Sequence, residues 1–222
     1  MYRIIPDVIS PSVATSLVSS LATAPFASGS VTAGKANRGI KNNLELPELS
    51  SLPTELVAAV TKGIRSSALL QAYAMPRRST ALLFNRFDEG MYYGDHVDNP
   101  THAFGTTVTR ADLSLTLFLS APETYDGGEL VLDTDNTSTA IKLPAGHAVV
   151  YQTGVVHRVN VVTRGTRLAV VAWLESSIAD HEERQIVFDL VRARDALGVD
   201  GPREPRQWVD KAIVNLTRKW MR

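Results

Sequence analysis

Two hydrophobic patterns divide the chain. Over residues 1–80 apolar positions recur at helical spacing. Ser10-Pro11 has the form of an N-cap followed by a first-turn proline, and Val13, Leu17 and Leu21 then fall on one face. From about Thr54, the i, i+4, i+8 spacing of Leu56, Val60 and Ile64 predicts a second helix. The stretch between them, Gly29 to Asn43, is rich in Gly, Asn and Lys and reads as a loop. Residues 81–175 change to short β-branched and aromatic runs: 81–87, 113–120, 128–133, 139–143, 148–152, 158–162 and 168–174. Turn signals separate them, among them Asp88-Glu89-Gly90, Asp126-Gly127-Gly128, Asp135-Asn136 and Pro144-Ala145-Gly146. Short strands at this spacing predict an all-β core, a sandwich or jelly roll. Helical spacing returns over residues 176–222. Ile186, Leu190 and Val191 form one stripe, and Trp208, Ala212, Leu216 and Trp220 another. Large aromatics on such a stripe usually bury, so Trp208 and Trp220 are expected as core anchors. The predicted fold is α+β: a β core flanked by helices at both ends, in a single domain over 1–222.

Composition narrows the chemistry. At 222 residues, 44% apolar and 21% charged, the chain suits one soluble globular domain. With 23 basic and 23 acidic residues it has no cationic excess for nucleic acid or an anionic membrane. The absence of cysteine excludes disulfides, thiolate metal sites and cysteine nucleophiles, so any metal is held by His, Asp or Glu. The first ten residues lack the apolar core of a signal peptide, and the apolar run Leu168 to Leu174 is too short to cross a bilayer. A cytoplasmic location is the expectation.

One constellation carries chemistry. In His96-Val97-Asp98 the two functional residues are two apart, which on a strand puts both on one face and within reach of one metal. A third ligand must come from elsewhere, and His157 opens a late strand. Two His and one carboxylate leave coordination positions open on a non-haem Fe(II) for a chelating co-substrate and O₂. A His-x-Asp triplet alone is a weak signal. Arg167, ten residues after His157 at the start of the next strand, adds a guanidinium that can pair bidentately with a dicarboxylate. An isolated Arg there would read as a solvated strand-end charge. Among the other histidines, His102 is placed in a loop that can line the entrance, His147 in a turn before a strand, and His181 in the first turn of an exposed helix. Asp95, as the strand neighbour of His96, should face away from the metal. Arg86, Tyr93, Asn99 and Arg110 lie near the expected mouth and are candidate substrate contacts.

Several motifs together resemble one family. They are Thr32-Ala33-Gly34, Lys41-Asn42-Asn43, Leu83-Phe84-Asn85-Arg86, His96-Val97-Asp98-Asn99, Arg110 to Ser114, Thr116 to Ser120 and Tyr125 to Leu130. Further along come Pro144-Ala145-Gly146, Val156-His157-Arg158-Val159, Val162 to Arg167, Trp173, and Asn215-Leu216 with Trp220. Over nearly its whole length the sequence is similar to the Fe(II)- and 2-oxoglutarate-dependent dioxygenases of the prolyl-4-hydroxylase group, specifically the PKHD-type hydroxylases. The resemblance implies a double-stranded β-helix (jelly roll) with His96, Asp98 and His157 as iron ligands and Arg167 as partner of the 2-oxoglutarate C5 carboxylate. It implies O₂ as second co-substrate, L-ascorbate as reductant, and hydroxylation of a small-molecule, amino-acid or peptidyl substrate with release of succinate and CO₂. Asp98 fills the position a halide would need, which disfavours halogenation. A non-catalytic metal-binding jelly roll is the competing reading, and such a protein has no use for Arg167. Two departures from the family pattern stand out. Phe87 occupies a position where the family often has Tyr, and Tyr151-Gln152-Thr153 stands where it often has Tyr-Pro-Ser.

Overall fold

The structure is a computed structural model and describes residues 2–31, 37, 39–104, 107–134 and 136–221. The Thr32-Ala33-Gly34 run and Asp135 of the expected turn lie outside the described residues. Among the described residues, two antiparallel sheets dominate. The larger has the order Tyr2–Ile5, Ala148–Gln152, Leu113–Phe118, Arg167–Ser176, Leu83–Phe87, Leu44–Glu45 and Ala27–Ser28, with Pro76–Ser79 also pairing to Arg167–Ser176. The smaller runs Thr137–Ile141, Leu130–Thr134, Val156–Val159, Tyr92–His96 and Lys41–Asn42. Together they form the jelly roll, with helices flanking it.

Both faces of the larger sheet are covered, and the alternation along its strands follows from that. On Leu113–Phe118 the residues Leu113, Leu115 and Leu117 are buried in the cluster formed with the helices. Their neighbours Ser114, Thr116 and Phe118 point between the sheets, so here the polar positions are the interior ones of the roll. Arg167–Ser176 repeats the rule. Leu168, Val170 and Leu174 join the helix-side cluster, while Arg167, Val171 and Trp173 line the interior. Each leucine fully buried on the helix side contributes about 1.5–3 kcal/mol. That anchors the strands whose opposite faces carry polar groups.

Helix α1 (Pro11–Leu21) begins as expected: the Ser10 side chain accepts a hydrogen bond from the Val13 amide at 3.3 Å, and Ala14, Leu17 and Leu21 are buried. Helix α2 (Thr54–Ser66) buries Val60 and Ile64. The short α3 (Ala68–Ala74), capped by Ser67, follows directly. At the other end α4 (His181–Ala196) buries Val187 and Phe188, and α5 (Arg203–Trp220) packs chiefly on α4.

Four expectations change. The first 80 residues are helical as expected but also contribute short strands, Tyr2–Ile5, Ala27–Ser28, Lys41–Asn42, Leu44–Glu45 and Pro76–Ser79, which extend the sheets. Residues 99–110, expected as loop, contain a hairpin pairing Thr101–Phe104 with Thr107–Arg110. The late strand expected over 158–162 is shifted and split into Val156–Val159 and Val162–Arg164. Trp208 is not a core anchor: α5 buries no residue fully, and Trp208 is 60% exposed with the Lys211 ammonium over its ring. Its helix packs chiefly on α4, and much of the stripe stays in solvent. No helix among the described residues is long and apolar enough to cross a membrane.

Candidate active site

His96, the last residue of Tyr92–His96, and His157, in Val156–Val159, are direct cross-strand partners in the smaller sheet. The register then shifts, with Val159 opposite Tyr93, so two residues on one strand span three on the other. This bulge turns Tyr93 and His96 to the same side, which strict alternation would forbid. The two rings stack at 3.6 Å with an interplanar angle of 11°. Asp98 lies just beyond the end of the strand rather than on it. Its carboxylate nevertheless sits between the imidazoles, with His96 Nε2 at 3.7 Å from Oδ1 and His157 Nε2 at 3.7 Å from Oδ2.

The ring orientations are fixed by backbone. His96 Nδ1 is 2.8 Å from the Gly94 carbonyl, and His157 Nδ1 is 2.9 Å from the Val155 carbonyl. A carbonyl only accepts, so each Nδ1 carries a hydrogen, and Nε2 is the ring atom that each histidine turns toward Asp98. Burial, followed by the neighbouring His157, pushes the His96 pKa down to about 4, which keeps that ring neutral. Asp98 is itself held. Its Oδ2 accepts from the Ser114 hydroxyl at 2.7 Å and from the Trp173 indole N–H at 2.8 Å. One ligand atom from each of His96, Asp98 and His157 lies within 4.8 Å of the others. Two imidazoles, one carboxylate and a supporting set of hydrogen bonds suit a divalent cation of the iron type.

A cavity of about 240 Å³ opens on this cluster. Arg167 lines it although the residue is only 2% exposed, and its Nε has no hydrogen-bond partner among the described residues. The guanidinium lies between Phe87 and Phe118, 5.2 and 5.3 Å from their ring centroids. Burial disfavours its charge, while Tyr125, Tyr151 and Glu129 act in the opposite sense. Gly128 makes room for it: a Cβ there would lie 3.1 Å from Arg167 Cδ, and its φ of +64° is one that glycine adopts readily. A buried guanidinium with an unmet donor is suited to an anionic ligand.

The candidate substrate contacts divide. Tyr93 and Asn99 line the cavity. Arg86 does not. It shares the helix-side parity of Phe84, binds Asp88 at 2.9 Å and lies 5.8 Å from the Phe26 ring centroid. Arg110 is also elsewhere, held by both Asp112 oxygens and the Ser176 carbonyl. His102, carried by the unexpected hairpin, stacks on Trp173 at 3.9 Å and lines the cavity with a buried Nε2 that has no hydrogen-bond partner among the described residues. Asp95 points outward to Arg158, as strand parity requires. The support that Ser114 and Trp173 give to Asp98 has no local motif in the sequence; its only signal is their i, i+2 relation to the cavity-facing Thr116 and Val171.

Fold and site together define an iron- and 2-oxoglutarate-dependent oxygenase. Residues 82–175 match the model of the 2OG-Fe(II) oxygenase superfamily. The chain is 40% identical over 221 residues to a PKHD-type hydroxylase of Gloeothece citriformis, covering 99% of each. It is 38% identical to one of Xanthomonas axonopodis pv. citri, covering 97% of each. Among solved structures, a Trichoplax adhaerens prolyl hydroxylase in complex with a peptide fragment of the hypoxia inducible factor oxygen degradation domain has a TM-score of 0.60. It is 17% identical, with 83% of this chain and 86% of that chain covered. A Pseudomonas putida prolyl-4-hydroxylase gives 0.54 at 17% identity, covering 79% and 92%. The chain belongs to the PKHD-type hydroxylases; it is a 2-oxoglutarate-dependent dioxygenase whose cofactor is Fe(II) and whose co-substrates are 2-oxoglutarate and O₂.

Proposed function

We propose that His96, Asp98 and His157 hold the Fe(II), that Arg167 pairs with the C5 carboxylate of 2-oxoglutarate, and that a small-molecule or peptide substrate is hydroxylated in the adjoining cavity. The observation that carries this reading is the meeting of the three donor atoms with a buried, incompletely bonded guanidinium in one cavity. When bound, the iron supplies the oxidative chemistry that couples decarboxylation of 2-oxoglutarate to C–H hydroxylation. The chain's own groups supply geometry. The Gly94 and Val155 carbonyls orient the imidazoles, and Ser114 and Trp173 orient the carboxylate. Arg167 fixes the co-substrate by its planar fork, and Phe87, Leu130 and Val159 line the cavity with apolar surface.

In this reading residues 1–222 act as one catalytic unit, with 81–175 bearing the metal and co-substrate groups and the terminal helices backing the larger sheet. A cytoplasmic setting, which keeps iron reduced, suits it, and so does ascorbate as reductant. The competing reading, a jelly roll that binds metal without turnover, leaves Arg167 without a role, since a buried guanidinium with an unmet donor is costly to keep. Succinate release from 2-oxoglutarate with Fe(II) and ascorbate tests the proposal. Release by the wild type and its loss in Asp98→Ala support it, and binding of iron with no binding or turnover of 2-oxoglutarate would favour the competing reading.

A further inference from the structure

One charged pair lines the cavity besides His96, Asp98, His157 and Arg167. The segment 41–45 crosses from one sheet to the other. Lys41–Asn42 pairs with Tyr92 and Tyr93 of the smaller sheet, and Leu44–Glu45 pairs with Asn85 and Arg86 of the larger. Between them the buried Asn43 donates to Asn85 Oδ1 at 2.7 Å, which locks the crossing. The side chains of Lys41 and Glu45 both line the cavity, with Nζ 2.5 Å from Oε1 and only 8% and 5% of each side chain exposed. Taking two ions out of water is costly, and an apolar pair would close such a corner at least as well. A buried ion pair kept on a cavity wall offers an ammonium and a carboxylate side by side to whatever enters.

We infer that this pair recognises the head group of a free α-amino acid, with Lys41 taking its carboxylate and Glu45 its ammonium. The inference rests on the proposed function of the cavity and adds the substrate class. A zwitterion carries both opposite charges on one carbon and compensates both members of the pair. A simple anion or cation would satisfy one member and be repelled by the other. Size agrees: about 240 Å³ is below the roughly 300–1,000 Å³ of pockets for drug-sized ligands, and 2-oxoglutarate takes part of it. The pair also stands near the metal cluster. Lys41 Nζ is 5.2 Å from the Tyr93 ring centroid, and Tyr93 stacks on His96. A head group held at Lys41 and Glu45 directs side-chain carbons, rather than the α-amino group, toward the metal. The overall change is R–H + 2-oxoglutarate + O₂ → R–OH + succinate + CO₂. One oxygen of O₂ ends in the new hydroxyl and the other in succinate.

The test uses protein loaded with Fe(II) and 2-oxoglutarate. Each of the twenty amino acids is titrated calorimetrically without O₂, and succinate release above the uncoupled rate is then measured in air. At least one free amino acid should bind and raise succinate release. Its N-acetyl and α-carboxamide derivatives should each bind more than about 10-fold more weakly, the scale of one lost charge-assisted contact. Glu45→Gln and Lys41→Met, checked for folding by thermal melting, should weaken binding of the free amino acid by a similar factor. The inference is overturned if no free amino acid binds, if blocked derivatives or peptides bind as well as the free acid, or if folded variants bind it unchanged. Wild-type protein that neither binds nor turns over 2-oxoglutarate would instead overturn the proposed function.

Discussion

The indole N–H of Trp173 donates to Asp98 Oδ2 at 2.8 Å, and the Ser114 hydroxyl meets the same oxygen at 2.7 Å. The two donors come from adjacent strands of the larger sheet, where Ser114 and Trp173 are direct partners. They fix a carboxylate that no strand positions, because Asp98 follows the end of Tyr92–His96. Groups that orient a metal ligand in this way typically affect metal affinity or activity by about 10–100-fold. Trp173→Phe and Ser114→Ala should each weaken Fe(II) binding within that range, and Asp98→Ala should abolish it. Anaerobic calorimetry on folded variants checks this. Unchanged affinity in Trp173→Phe would remove the indole from the account.

Gly128 should matter beyond the turn it makes. Alanine there must adopt a φ of +64° and crowd Arg167 Cδ, Tyr125 Cε2 and Val162 Cγ2, all at 3.0–3.1 Å from the added carbon. The backbone cost alone is about 1–2 kcal/mol. Gly128→Ala should therefore lower stability by at least that amount in urea unfolding. It should also weaken 2-oxoglutarate binding by displacing the guanidinium, with iron affinity retained. A variant with wild-type affinity for 2-oxoglutarate would show that Arg167 has slack to move.

Neither apolar stripe predicted at the C-terminal end is the buried one: Ile186 of the first is 47% exposed, and the apolar residues that α4 buries are its neighbours Val187 and Phe188. Phe188 is 1% exposed and packs edge-on against Tyr73 at 5.3 Å, whereas Trp208 is 60% exposed. Phe188→Ala should cost about 3–5 kcal/mol and Trp208→Ala no more than about 0.5 kcal/mol. Denaturant titrations separate these, and a loss above about 2 kcal/mol for Trp208→Ala would mean that α5 is anchored through that ring.

The meeting of His96, Asp98 and His157 in a cavity that Arg167 also lines was legible in the sequence because the His-x-Asp spacing, a late His and a following Arg are local signals. Positions that depend on which face of a strand is interior were less so. On a sheet buried on both sides, alternation does not say which set faces the cavity. Arg86 is expected near the mouth, yet its parity with Phe84 places it on the helix side. Tyr93 reaches the cavity beside His96 only through a bulge, and no period-2 pattern encodes that. The hairpin carrying His102 is not legible in the sequence because 101–110 lacks a hydrophobic alternation of its own. Trp208 is exposed despite its place on a stripe because helical periodicity identifies an apolar stripe without saying what covers it.

The central claim is that Arg167 binds the far carboxylate of 2-oxoglutarate beside an iron held by His96, Asp98 and His157. The direct measurement is a 2-oxoglutarate titration of Fe(II)-loaded wild type, Arg167→Ala and Arg167→Lys, followed by succinate release. Removing one partner of a buried charge pair typically costs about 2–5 kcal/mol, which is roughly 30-fold to several-thousand-fold in affinity. Arg167→Ala should lose affinity by that factor while still binding iron, and Arg167→Lys should recover only part of it, since a point charge cannot reproduce the planar fork. Equal 2-oxoglutarate affinity in all three proteins would contradict the claim.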